Sequence, residues 1–504
     1  MRLSQLAAEV PGAALESGGE HEVSRVVEDS RLAGPGDLFV AVPGLRVDGH
    51  AFAREAARAG AAVALERGRT VDLPPGTPVL RLAAARPGLA ELAAVLHGRP
   101  AHRLLMAGVT GTDGKTTVTH MAAHVLNALG LPAGLLSGVA RLTGAEPAAN
   151  STGLSSVGAA LLQASLGEMV ASGKRAAVLE VTSHALAQDR VAACELDAVA
   201  VTNVGHDHLD YHGSWESYLR AKAHLIVLCA SAPSKGIVKT AVLNLDDPAH
   251  ERLAAEPIAR RLFVSRHGSA DLAALELRPD SAGTAFVLAG PDGAQAAVRL
   301  RMPGAFNVGN ALLAGGLAHA LGGFPTAGLA AALSAFPGVP GRLEQVDLGQ
   351  PFRVYVDFAH SASGLAGVLA ELRALTDGRL LCVFGATGRS DHDRPGMGRA
   401  AATSADWFVI TTDDPVSEDP AEIARAVQAG AHDRRSGVDY EVEPDRRTAI
   451  RMALTRARPG DTVLLAGKGH ERTMILDGRT EPWDERGEAE LALRELADAN
   501  GRSV

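Results

Sequence analysis

The chain has 504 residues, which is more than one hydrophobic core usually supports, so its length predicts about two to four domains. Hydrophobic residues make up 46% and charged residues 21%, a composition that is typical of folded globular proteins and excludes a largely disordered one. The formal net charge of -9 argues against an extended surface for nucleic acid, although local basic clusters can still bind anionic small molecules.

Cysteines and apolar runs indicate the compartment. Cys194, Cys229 and Cys382 show no metal-binding spacing and stand in or beside apolar runs, so we expect buried, unreactive thiols in a reducing compartment. Residues 1–12 lack the apolar core of a signal peptide, and no uninterrupted apolar run reaches the ~18 residues of a membrane helix. The sequence therefore predicts a cytoplasmic protein without a membrane span.

Short apolar runs alternate with alanine-rich helical stretches, a pattern typical of α/β domains in which helices cover a parallel sheet. Breaks rich in Pro and Gly at 98–100 and 336–342 predict three domains, 1–99, 100–338 and 339–504. The candidate strands are 38–42, 61–66, 104–109, 176–181, 197–204, 353–360, 380–387, 406–415 and 461–470. Because the carboxyl ends of parallel strands line the ligand crevice, function is expected in the polar residues that follow them.

The strand candidate at 104–109 leads into a glycine-rich turn at 108–117 and then a helical stretch at 118–129. Such a turn directs several backbone N–H groups to one point at a helix N-terminus, where the helix dipole favours negative charge. Lys115 adds a cation for the β- and γ-phosphates, and the Thr116 hydroxyl is a suitable ligand for Mg²⁺. Although Val109 replaces the first glycine of the general pattern, the turn predicts ATP binding by Gly111, Thr112, Gly114, Lys115, Thr116 and Thr117.

Further polar groups follow the next candidate strands. Glu180 ends an apolar run, and His208 and His212 lie in a segment that also contains Asp207 and Asp210. Magnesium prefers oxygen ligands and retains some water, so one carboxylate beside a phosphate-loop hydroxyl is a typical protein contribution. We interpret Glu180 and His208 as functional, whereas a structural role is the simpler interpretation of His212, and the two aspartates cap or brace their loop.

Several motifs occur in one order along the chain: GVTGTDGKTT, EVTSHAL, TNVGHDHLDYHG with YLRAK, GAFNVGN, VPGRLE, VDFAHS and GKGHE. This set, which extends from about residue 25 to residue 490, resembles the Mur ligases and, within them, the UDP-N-acetylmuramoyl-tripeptide synthetases. The resemblance implies an N-terminal domain that binds a UDP-sugar, a central ATPase domain with a parallel sheet, and a Rossmann-like C-terminal domain that binds an amino acid. It also implies a role in peptidoglycan synthesis, and we expect the protein to be a monomer.

The resemblance assigns roles residue by residue. It implies catalytic roles for Lys115, His208 and Lys222. Lys222 matches a lysine that the family carries as a carbamate. The sequence alone also allows a surface or salt-bridging lysine at this position. The implied metal ligands are Thr116, Glu180, His208 and Lys222, and the further implied ATP contacts are Asn307, Arg342 and Asp357. For the UDP-linked substrate, the matching positions are Ser30, Thr152, Thr182, Gln188 and Arg190.

The chain departs from the family pattern in three places. The phosphate loop has Asp113 where the family usually has asparagine, which changes the charge of the loop but leaves its cradle in place. The segment 383–395 lacks the usual spacing of glycine and aspartate, so the resemblance assigns no role to Arg389 or Arg394. Residues 361–363 replace the more usual Thr-Pro-Asp after a histidine.

The implied reaction joins an amine to a carboxylate at the expense of ATP. Transfer of the γ-phosphoryl group to the D-glutamate carboxylate of UDP-N-acetylmuramoyl-L-alanyl-D-glutamate gives an acyl phosphate, which the amine of a free amino acid attacks. Magnesium and Lys115 offset the crowding of negative charge, and no covalent enzyme nucleophile is required. The sequence assigns no base for the amine.

The segment 411–420 bears on the choice of amino acid. Family members that add meso-diaminopimelate generally read Asp-Asn-Pro-Arg here, and their arginine pairs with the distal carboxylate of that substrate. This chain has Asp413, Asp414, Pro415 and Val416, and two aspartates suit a terminal ammonium group, whereas valine cannot balance a carboxylate. We therefore expect Asp413, Asp414 and Glu471 to bind L-lysine or L-ornithine, with meso-diaminopimelate as the alternative.

Two further alternatives come from outside this reaction. Another ligase of the superfamily, such as folylpolyglutamate synthase or the ligase that adds D-Ala-D-Ala, fits EVTSHAL, DHLDYHG and the N-terminal EDSR less well. A nucleotide-binding regulatory protein could keep the phosphate loop and lose Glu180, His208 and Lys222, but all three are present. The expected partners are therefore ATP, the UDP-linked dipeptide and a free amino acid.

Overall fold

The computed structural model describes residues 1–44, 47–150, 152–280, 283–388 and 393–499. The chain forms two compact units. The first unit contains Met1–Ala273, Ala289–Ala294 and Asn310–Ala332. The second unit contains Ala274–Leu288, Gln295–Gly309 and Leu333–Val504. Among the described residues, the helices include none whose length and hydrophobicity would allow it to span a bilayer.

The first unit begins with a five-stranded sheet. Its elements are α1 (Leu3–Glu9), β1 (Ala14–Ser17), β2 (Arg25–Val27), β3 (Asp37–Val40), α2 (Ala53–Arg58), β4 (Ala62–Glu66), β5 (Val79–Leu82) and α3 (Ala85–Leu96). The strand order is β1-β5-β4-β3-β2, with β1 antiparallel and the other neighbours parallel. Leu38 and Val40 face one buried cluster and Phe39 faces another, which explains why β3 reads as an unbroken apolar run.

A larger sheet follows in the same unit. Its elements are β6 (Leu105–Thr110), α4 (Lys115–Ala128), β7 (Ala133–Leu136), β8 (Ala140–Leu142), β9 (Ala148–Ala149), α5 (Ala159–Ala171), β10 (Ala176–Glu180), α6 (Ser183–Ala187), β11 (Ala198–Val201), α7 (Leu209–His212), α8 (Trp215–Ser231), β12 (Thr240–Asn244), α9 (His250–Leu253) and β13 (Arg260–Ser265). Six strands run parallel in the order β13-β12-β11-β6-β10-β7, and β8 and β9 add antiparallel strands.

The strand order places β6 between β10 and β11. The carboxyl ends of these three parallel strands therefore meet at one edge, where the direction of chain progression across the sheet reverses. The glycine-rich turn follows β6, Glu180 ends β10, and the TNVGHDH segment follows β11. The fold thus gathers three motifs that are far apart in the sequence.

The remaining elements start with β14 (Leu272–Asp280), β15 (Gly283–Ala289), β16 (Gln295–Leu300), α10 (Ala305–Gly322) and α11 (Thr326–Ser334). They continue with β17 (Glu344–Gln345), β18 (Arg353–Asp357), α12 (Ala362–Leu375), β19 (Leu380–Ala386), α13 (Arg394–Ser404), β20 (Trp407–Thr412), α14 (Pro420–Gln428), β21 (Tyr440–Val442), α15 (Arg446–Arg456), β22 (Thr462–Ala466), β23 (Thr473–Leu476), β24 (Arg479–Pro482) and α16 (Glu485–Ala499).

The second unit contains the third mainly parallel sheet of the chain. Its strand order is β17-β18-β22-β19-β20-β21, and only β17 is antiparallel to its neighbour. Its two faces are covered by separate apolar clusters, one around Phe384 and Phe408 and the other around Val383 and Val409. Burial on both faces is the reason these strands are apolar throughout. The carboxyl ends of β18, β22, β19 and β20 lie at one edge, where the remaining motifs are found.

The α/β class with parallel sheets is confirmed, and each candidate strand coincides with an observed strand to within a few residues. The three cysteines are free and buried. Burial raises the pKa of Cys194 and of Cys229 to about 12, and it also raises the pKa of Cys382. The predicted burial of the thiols is therefore confirmed, and their raised pKa values favour the unreactive protonated form. The boundaries at residues 99 and 338 stay predictions.

Candidate functional site

The predicted phosphate loop connects β6 to α4 and depends on two glycines. Gly111 and Gly114 have positive φ angles of 148° and 81°. A β-carbon on Gly111 would collide with the Thr202 hydroxyl, and one on Gly114 would collide with the side-chain oxygen of Asn310. Both positions therefore require glycine, for the backbone conformation and for the space.

Residues after β11 hold the loop in shape. The Thr112 N–H donates to the Asn203 carbonyl at 2.9 Å, and the Asp113 N–H donates to the Asn203 side-chain oxygen at 3.0 Å. The Thr202 hydroxyl donates to the Asp113 carbonyl at 2.6 Å. These bonds use the main chain of Asp113, so they do not depend on whether its side chain is acid or amide. We assigned neither Thr202 nor Asn203 a role from the sequence, although both directly follow a strand.

The Lys115 ammonium group lies within the curve of the loop. Its Nζ donates to the carbonyl oxygens of Thr112 at 2.7 Å and Gly111 at 3.1 Å. Helix α4 begins at the same residue, and the first N–H groups of a helix have no carbonyl partner within that helix. A fixed cation and a helix N-terminus therefore converge on one point, an arrangement suited to a polyphosphate.

Two oxygen-bearing side chains meet at the start of α4. The Thr116 hydroxyl donates to Glu180 Oε2 at 3.0 Å, and the Gly138 N–H donates to the same oxygen at 3.0 Å. Both side chains are buried. A hydroxyl and a carboxylate are the hard oxygen donors that Mg²⁺ prefers, so this pair fits the ion.

Lys222, the predicted carbamate position, is a buried residue of α8, so the surface-lysine alternative is wrong. Only 1% of its surface is exposed. Its Nζ donates to the Gly111 carbonyl at 2.6 Å and lies 4.1 Å from the centroid of the Tyr218 ring. Burial, and after it the positive charge of Lys115, hold the pKa of Lys222 well below the usual lysine range. Such a lysine has a larger share of the neutral amine, the form that reacts with CO₂ to give a carbamate.

His208 and His212 belong to a cluster of rings around His184. The His208, His212 and Tyr211 ring centroids lie 4.8, 5.8 and 4.1 Å from that of His184. Tyr218 lies 6.4 Å from His208 by ring centroids and also stacks under the Lys222 ammonium, so it is a neighbour that these two predicted residues share. Burial is the main cause that lowers the pKa of His184 to about 4, and the positive charges of His208 and His212 act in the same direction. The His184 ring is therefore neutral near pH 7.

The backbone at His208 is unusual for a non-glycine residue. Its φ angle is 51°, in the left-handed region. The His208 N–H donates to Asp207 Oδ1 at 2.9 Å, and Asp207 Oδ2 lies 3.4 Å from Nε2 of the same histidine. Asp207 therefore braces its loop as predicted, and the strained backbone is of the kind that clusters at functional sites.

Gln188 and Arg190 line a cleft of about 440 Å³ in the first unit. Arg190 donates to Gln188 Oε1 and to the Ser156 carbonyl, each at 2.6 Å. The Ser156 hydroxyl accepts from the Thr182 N–H at 2.9 Å, and the Thr182 hydroxyl caps α6. Ser156, which no sequence motif identifies, thus connects three of the predicted substrate residues.

Thr182, Ser30 and Thr152 are not among the described residues that line this cleft. Ser30 begins a short 3-10 helix, Ser30–Leu32, close in sequence to the cleft residue Glu28. The Thr152 hydroxyl donates to the Asn150 side-chain oxygen at 2.7 Å within its own exposed loop. Hydrogen bonds therefore connect Thr182, Gln188 and Arg190 through Ser156, and the described structure shows no such connection for Ser30 or Thr152.

In the second unit, two of the residues predicted to contact the nucleoside, Arg342 and Asp357, are neighbours. Asp357 ends β18, where its carboxylate accepts from the Leu343 N–H at 2.7 Å. Burial raises the pKa of Asp357, and the charge of Arg342 opposes this rise. The third, Asn307, is buried in α10 and donates to the Pro303 carbonyl at 2.7 Å.

Asp413, Asp414 and Glu471 come together at the carboxyl ends of β20 and β22, with one oxygen of each within 4.8 Å of the others. They surround Lys468, which is fully buried. Lys468 Nζ lies 2.6 Å from Glu471 Oε2, 3.0 Å from Asp414 Oδ1 and 3.8 Å from Asp413 Oδ1. An ammonium group already lies among the carboxylates, so this is a salt-bridge cluster rather than a metal site.

The charges of this cluster do not cancel, because three carboxylates face one ammonium group. Burial alone would lower the pKa of Lys468, but the carboxylates raise it, so the lysine stays charged. Burial raises the pKa of Asp413 and of Glu471. Lys468 stands in the motif GKGHE, but the pocket predicted from the sequence does not include this lysine, which neutralises part of its charge.

Arg446 anchors the two strands that carry this cluster. It is buried and pairs with Glu485 at 2.7 Å. Its guanidinium also donates to the carbonyl of Ala466, the last residue of β22, at 2.7 Å, and to that of Thr412, the last residue of β20, at 3.3 Å. Since truncating one partner of a buried ion pair costs about 3–5 kcal/mol, Arg446 holds both strand ends firmly.

The segments that depart from the family pattern have local structural roles where they are described. Arg394 forms two hydrogen bonds to Glu418, each at 2.9 Å, and Arg389 lies outside the described residues. Ser361 caps α12, because its hydroxyl accepts from the Gly364 N–H at 3.2 Å. A serine in place of threonine at this cap therefore preserves the start of the helix.

Comparison with known protein families gives matches in three consecutive stretches. Residues 22–96 match the catalytic domain of the Mur ligase family, residues 109–318 match the Mur ligase middle domain, and residues 341–469 match the Mur ligase glutamate ligase domain. The three stretches follow the same order as the three sheets described above.

Similar proteins match over nearly the whole chain. The chain is 41% identical over 487 residues to the UDP-N-acetylmuramyl-tripeptide synthetase of Roseiflexus sp. (strain RS-1), which covers 94% of this chain and 95% of that protein. It is also 41% identical over 491 residues to the UDP-N-acetylmuramoyl-L-alanyl-D-glutamate–2,6-diaminopimelate ligase of Parasynechococcus marenigrum (strain WH8102), with coverage of 94% and 95%. A solved structure of a 2,6-diaminopimelate ligase of the same kind covers 100% of both chains, with a TM-score of 0.67 and 27% identity.

Proposed function

The chain belongs to the Mur ligase family, and on that basis we propose that it adds an amino acid to UDP-N-acetylmuramoyl-L-alanyl-D-glutamate with cleavage of ATP. The observation that carries this proposal is the convergence on one loop of the Lys115 cation, the Thr116–Glu180 pair and the buried Lys222. A regulatory nucleotide-binding protein would have no need for the last of these. The chain is accordingly an ATP-dependent ligase.

The chemistry follows from the difficulty of joining a carboxylate to an amine in water. An oxygen of the D-glutamate carboxylate attacks the γ-phosphorus, the bond to the β-phosphate oxygen breaks, and ADP leaves. The amine nitrogen then attacks the acyl carbon, phosphate departs with the bonding electrons, and the amine loses a proton. Both steps crowd negative charge, and Lys115 is placed to stabilise it in the transition state.

We assign Mg²⁺ binding to Thr116, Glu180 and His208. We assign Lys222, in its carbamate form, as a further ligand of magnesium. When bound, this ion neutralises phosphate charge. The carbamate forms when the neutral Lys222 amine adds to CO₂ and releases a proton, which replaces a cation by an anion next to the loop. The proposed carbamate is supported by the burial of Lys222 and by the contact of the Lys222 side chain with the Gly111 carbonyl. We assign Asn307, Arg342 and Asp357 to the nucleoside.

For the incoming amino acid we propose L-lysine or L-ornithine, bound by the cluster of Asp413, Asp414 and Glu471. Lys468 neutralises only part of this cluster, so an excess of negative charge remains to attract a terminal ammonium group. Val416 offers no partner for a distal carboxylate. A site that leaves such a carboxylate unpaired discriminates against meso-diaminopimelate.

The alternative is meso-diaminopimelate itself, because several similar proteins are named as ligases for 2,6-diaminopimelate. The name of the Roseiflexus relative specifies no amino acid. Overall similarity does not decide between these substrates, because we propose that a few side chains at the ends of β20 and β22 make the choice.

An omission experiment tests the proposed reaction. Purified protein is supplied with ATP, Mg²⁺, the UDP-linked dipeptide and a mixture of L-lysine, L-ornithine and meso-diaminopimelate, and phosphate release is followed. We expect release only in the complete mixture, with one tripeptide product detected by mass spectrometry. Release that is independent of the dipeptide would contradict the proposal.

A double variant tests the specificity argument. Val416→Arg with Asp414→Asn should raise kcat/KM for meso-diaminopimelate relative to lysine or ornithine, because a guanidinium group can then pair with the distal carboxylate. The expected shift in the ratio is about 2 kcal/mol, or roughly 30-fold. Val416 has a φ angle of 59°, which is unfavourable for a β-branched side chain, so arginine is at least as compatible with this backbone.

The matched control is Ser417→Arg, which adds the same charge at the exposed neighbouring position and should leave the ratio unchanged. If the double variant leaves the ratio at its wild-type value, the groups that select the amino acid lie elsewhere. Glu471 is then the next residue to replace.

A further inference from the structure

Two arginines line the cleft of about 440 Å³ in the first unit, and each is held by neutral oxygen acceptors. Arg86, in the first turn of α3, donates to the Pro43 carbonyl at 2.9 Å and to the Ala187 carbonyl at 3.3 Å. Arg190 donates to the Ser156 carbonyl and to Gln188. These acceptors orient the guanidinium groups without cancelling their charge.

Among the described residues that line the cleft, Glu28 is the one that carries a carboxylate. Glu28 follows β2, and a β-carbon on Gly158, at the start of α5, would lie only 2.6 Å from its Oε1. Burial by the cleft walls raises the pKa of Glu28, while the positive charges of Arg190 and Arg86 lower it. Glu28 is thus attracted to both arginines, yet in the described structure the hydrogen bonds of Arg86 and Arg190 go to other acceptors.

The balance of charge in the cleft favours an anion. Two guanidinium groups face one carboxylate, and the volume lies within the usual range of about 300–1,000 Å³ for small-molecule sites. A diphosphate offers planar arginine side chains several oxygen acceptors in suitable geometry. The carboxylate of Glu28 offers the same chemistry with less charge and would compete for the same two donors.

We propose that Arg86 binds the diphosphate of the UDP-linked substrate together with Arg190, and that Glu28 is an internal anion which this diphosphate displaces. The inference rests on the proposed function for the identity of the substrate. It adds to that function one binding residue, Arg86, and one residue that weakens binding, Glu28. Replacing these two residues should therefore change affinity in opposite directions.

The test is titration calorimetry of the full-length chain with UDP, accompanied by uridine as a probe without phosphate. Loss of a charge-assisted contact predicts about ten- to hundredfold weaker UDP binding by Arg86→Gln. Glu28→Gln should bind UDP several-fold more tightly, because the competing charge is removed. The affinity for uridine should change in neither variant. Arg86→Lys keeps the charge and should retain most of the UDP affinity.

Arg67→Gln is the matched control, since Arg67 also belongs to the N-terminal sheet region and donates to a main-chain carbonyl, that of Gly12, at 3.0 Å. Arg67 does not line the cleft, so this variant should bind UDP as the wild type does. In the ligation assay, Arg86→Gln should raise KM for the UDP-linked dipeptide with little change in kcat or in KM for ATP. A merely structural role would lower kcat and the melting temperature as well.

Wild-type affinity for UDP in Arg86→Gln, or an equal loss in Arg67→Gln, would overturn the assignment of Arg86. Unchanged or weaker UDP binding by Glu28→Gln would overturn the claim that Glu28 competes with the diphosphate.

These outcomes are distinct from failure of the proposed function. If the omission experiment shows no ligation while UDP binding follows the expected pattern, the cleft is a site for another diphosphate compound and the proposed reaction is wrong. If ligation occurs and UDP binding does not respond, only the present inference is wrong.

Discussion

Replacing Lys222 by alanine is expected to abolish ligation, to below a thousandth of the wild-type rate. As a carbamate, this residue would supply an anionic oxygen ligand next to the phosphate loop, and a methyl group cannot replace it. Short-chain carboxylates such as formate or acetate should restore part of the activity of Lys222→Ala by occupying the vacated space. The measurement is phosphate release by the variant over a series of carboxylate concentrations.

Lys222→Arg distinguishes a carbamate from an unmodified cation. Arginine keeps a positive charge that can donate to the Gly111 carbonyl and stack on Tyr218, but it does not form the carbamate. We therefore expect Lys222→Arg to be as inactive as the alanine variant and to resist rescue by carboxylates. Substantial activity in the arginine variant would mean that the residue acts as a cation, and the carbamate would then be wrong.

Lys115→Ala is expected to slow ligation by about 10²–10³-fold, or about 3–4 kcal/mol of barrier, the usual effect of removing one preorganised charge or donor. Lys115 is fixed within the loop by the carbonyls of Gly111 and Thr112, so it needs little reorganisation to stabilise the transferring phosphoryl group. We expect the loss mainly in kcat, with a smaller rise in KM for ATP. Steady-state phosphate release at varied ATP concentration measures both parameters.

Asp113→Asn is the matched control for this experiment. It changes a charge in the same loop, but the contacts that brace the loop involve the main chain of Asp113 rather than its carboxylate. The control should therefore ligate within a fewfold of wild type. If Lys115→Ala ligates within tenfold of wild type, the lysine is not the group that stabilises the transition state.

The elements that could be predicted from the sequence are those with local signals. The phosphate loop was recognisable because its chemistry requires glycine at Gly111 and Gly114 and a lysine at the start of a helix. The parallel sheets were recognisable because strands buried on both faces are apolar throughout. The link between Thr116 and Glu180 followed from the rule that parallel strands present their carboxyl ends at one edge.

The missed residues are those whose partners lie far away in the sequence. Lys468 neutralises Asp414, which lies 54 positions away in the sequence, and its motif gives no sign of that distant contact. Asn203 braces the phosphate loop from 90 positions away, and Arg86 reaches Ala187 across 101 positions. Periodicity and motif spacing report local structure, so such contacts become visible only once the strand order is known.

The measurement that tests the central claim most directly is kcat/KM of the wild-type protein for each amino acid in the phosphate-release assay. ATP and the UDP-linked dipeptide are held at saturation, and L-lysine, L-ornithine and meso-diaminopimelate are varied in turn. We predict that lysine or ornithine exceeds meso-diaminopimelate by at least tenfold, because the cluster around Lys468 retains an excess of negative charge and Val416 cannot pair with a carboxylate. A preference for meso-diaminopimelate would contradict the account of the pocket, and no phosphate release with any of the three would contradict the proposed reaction.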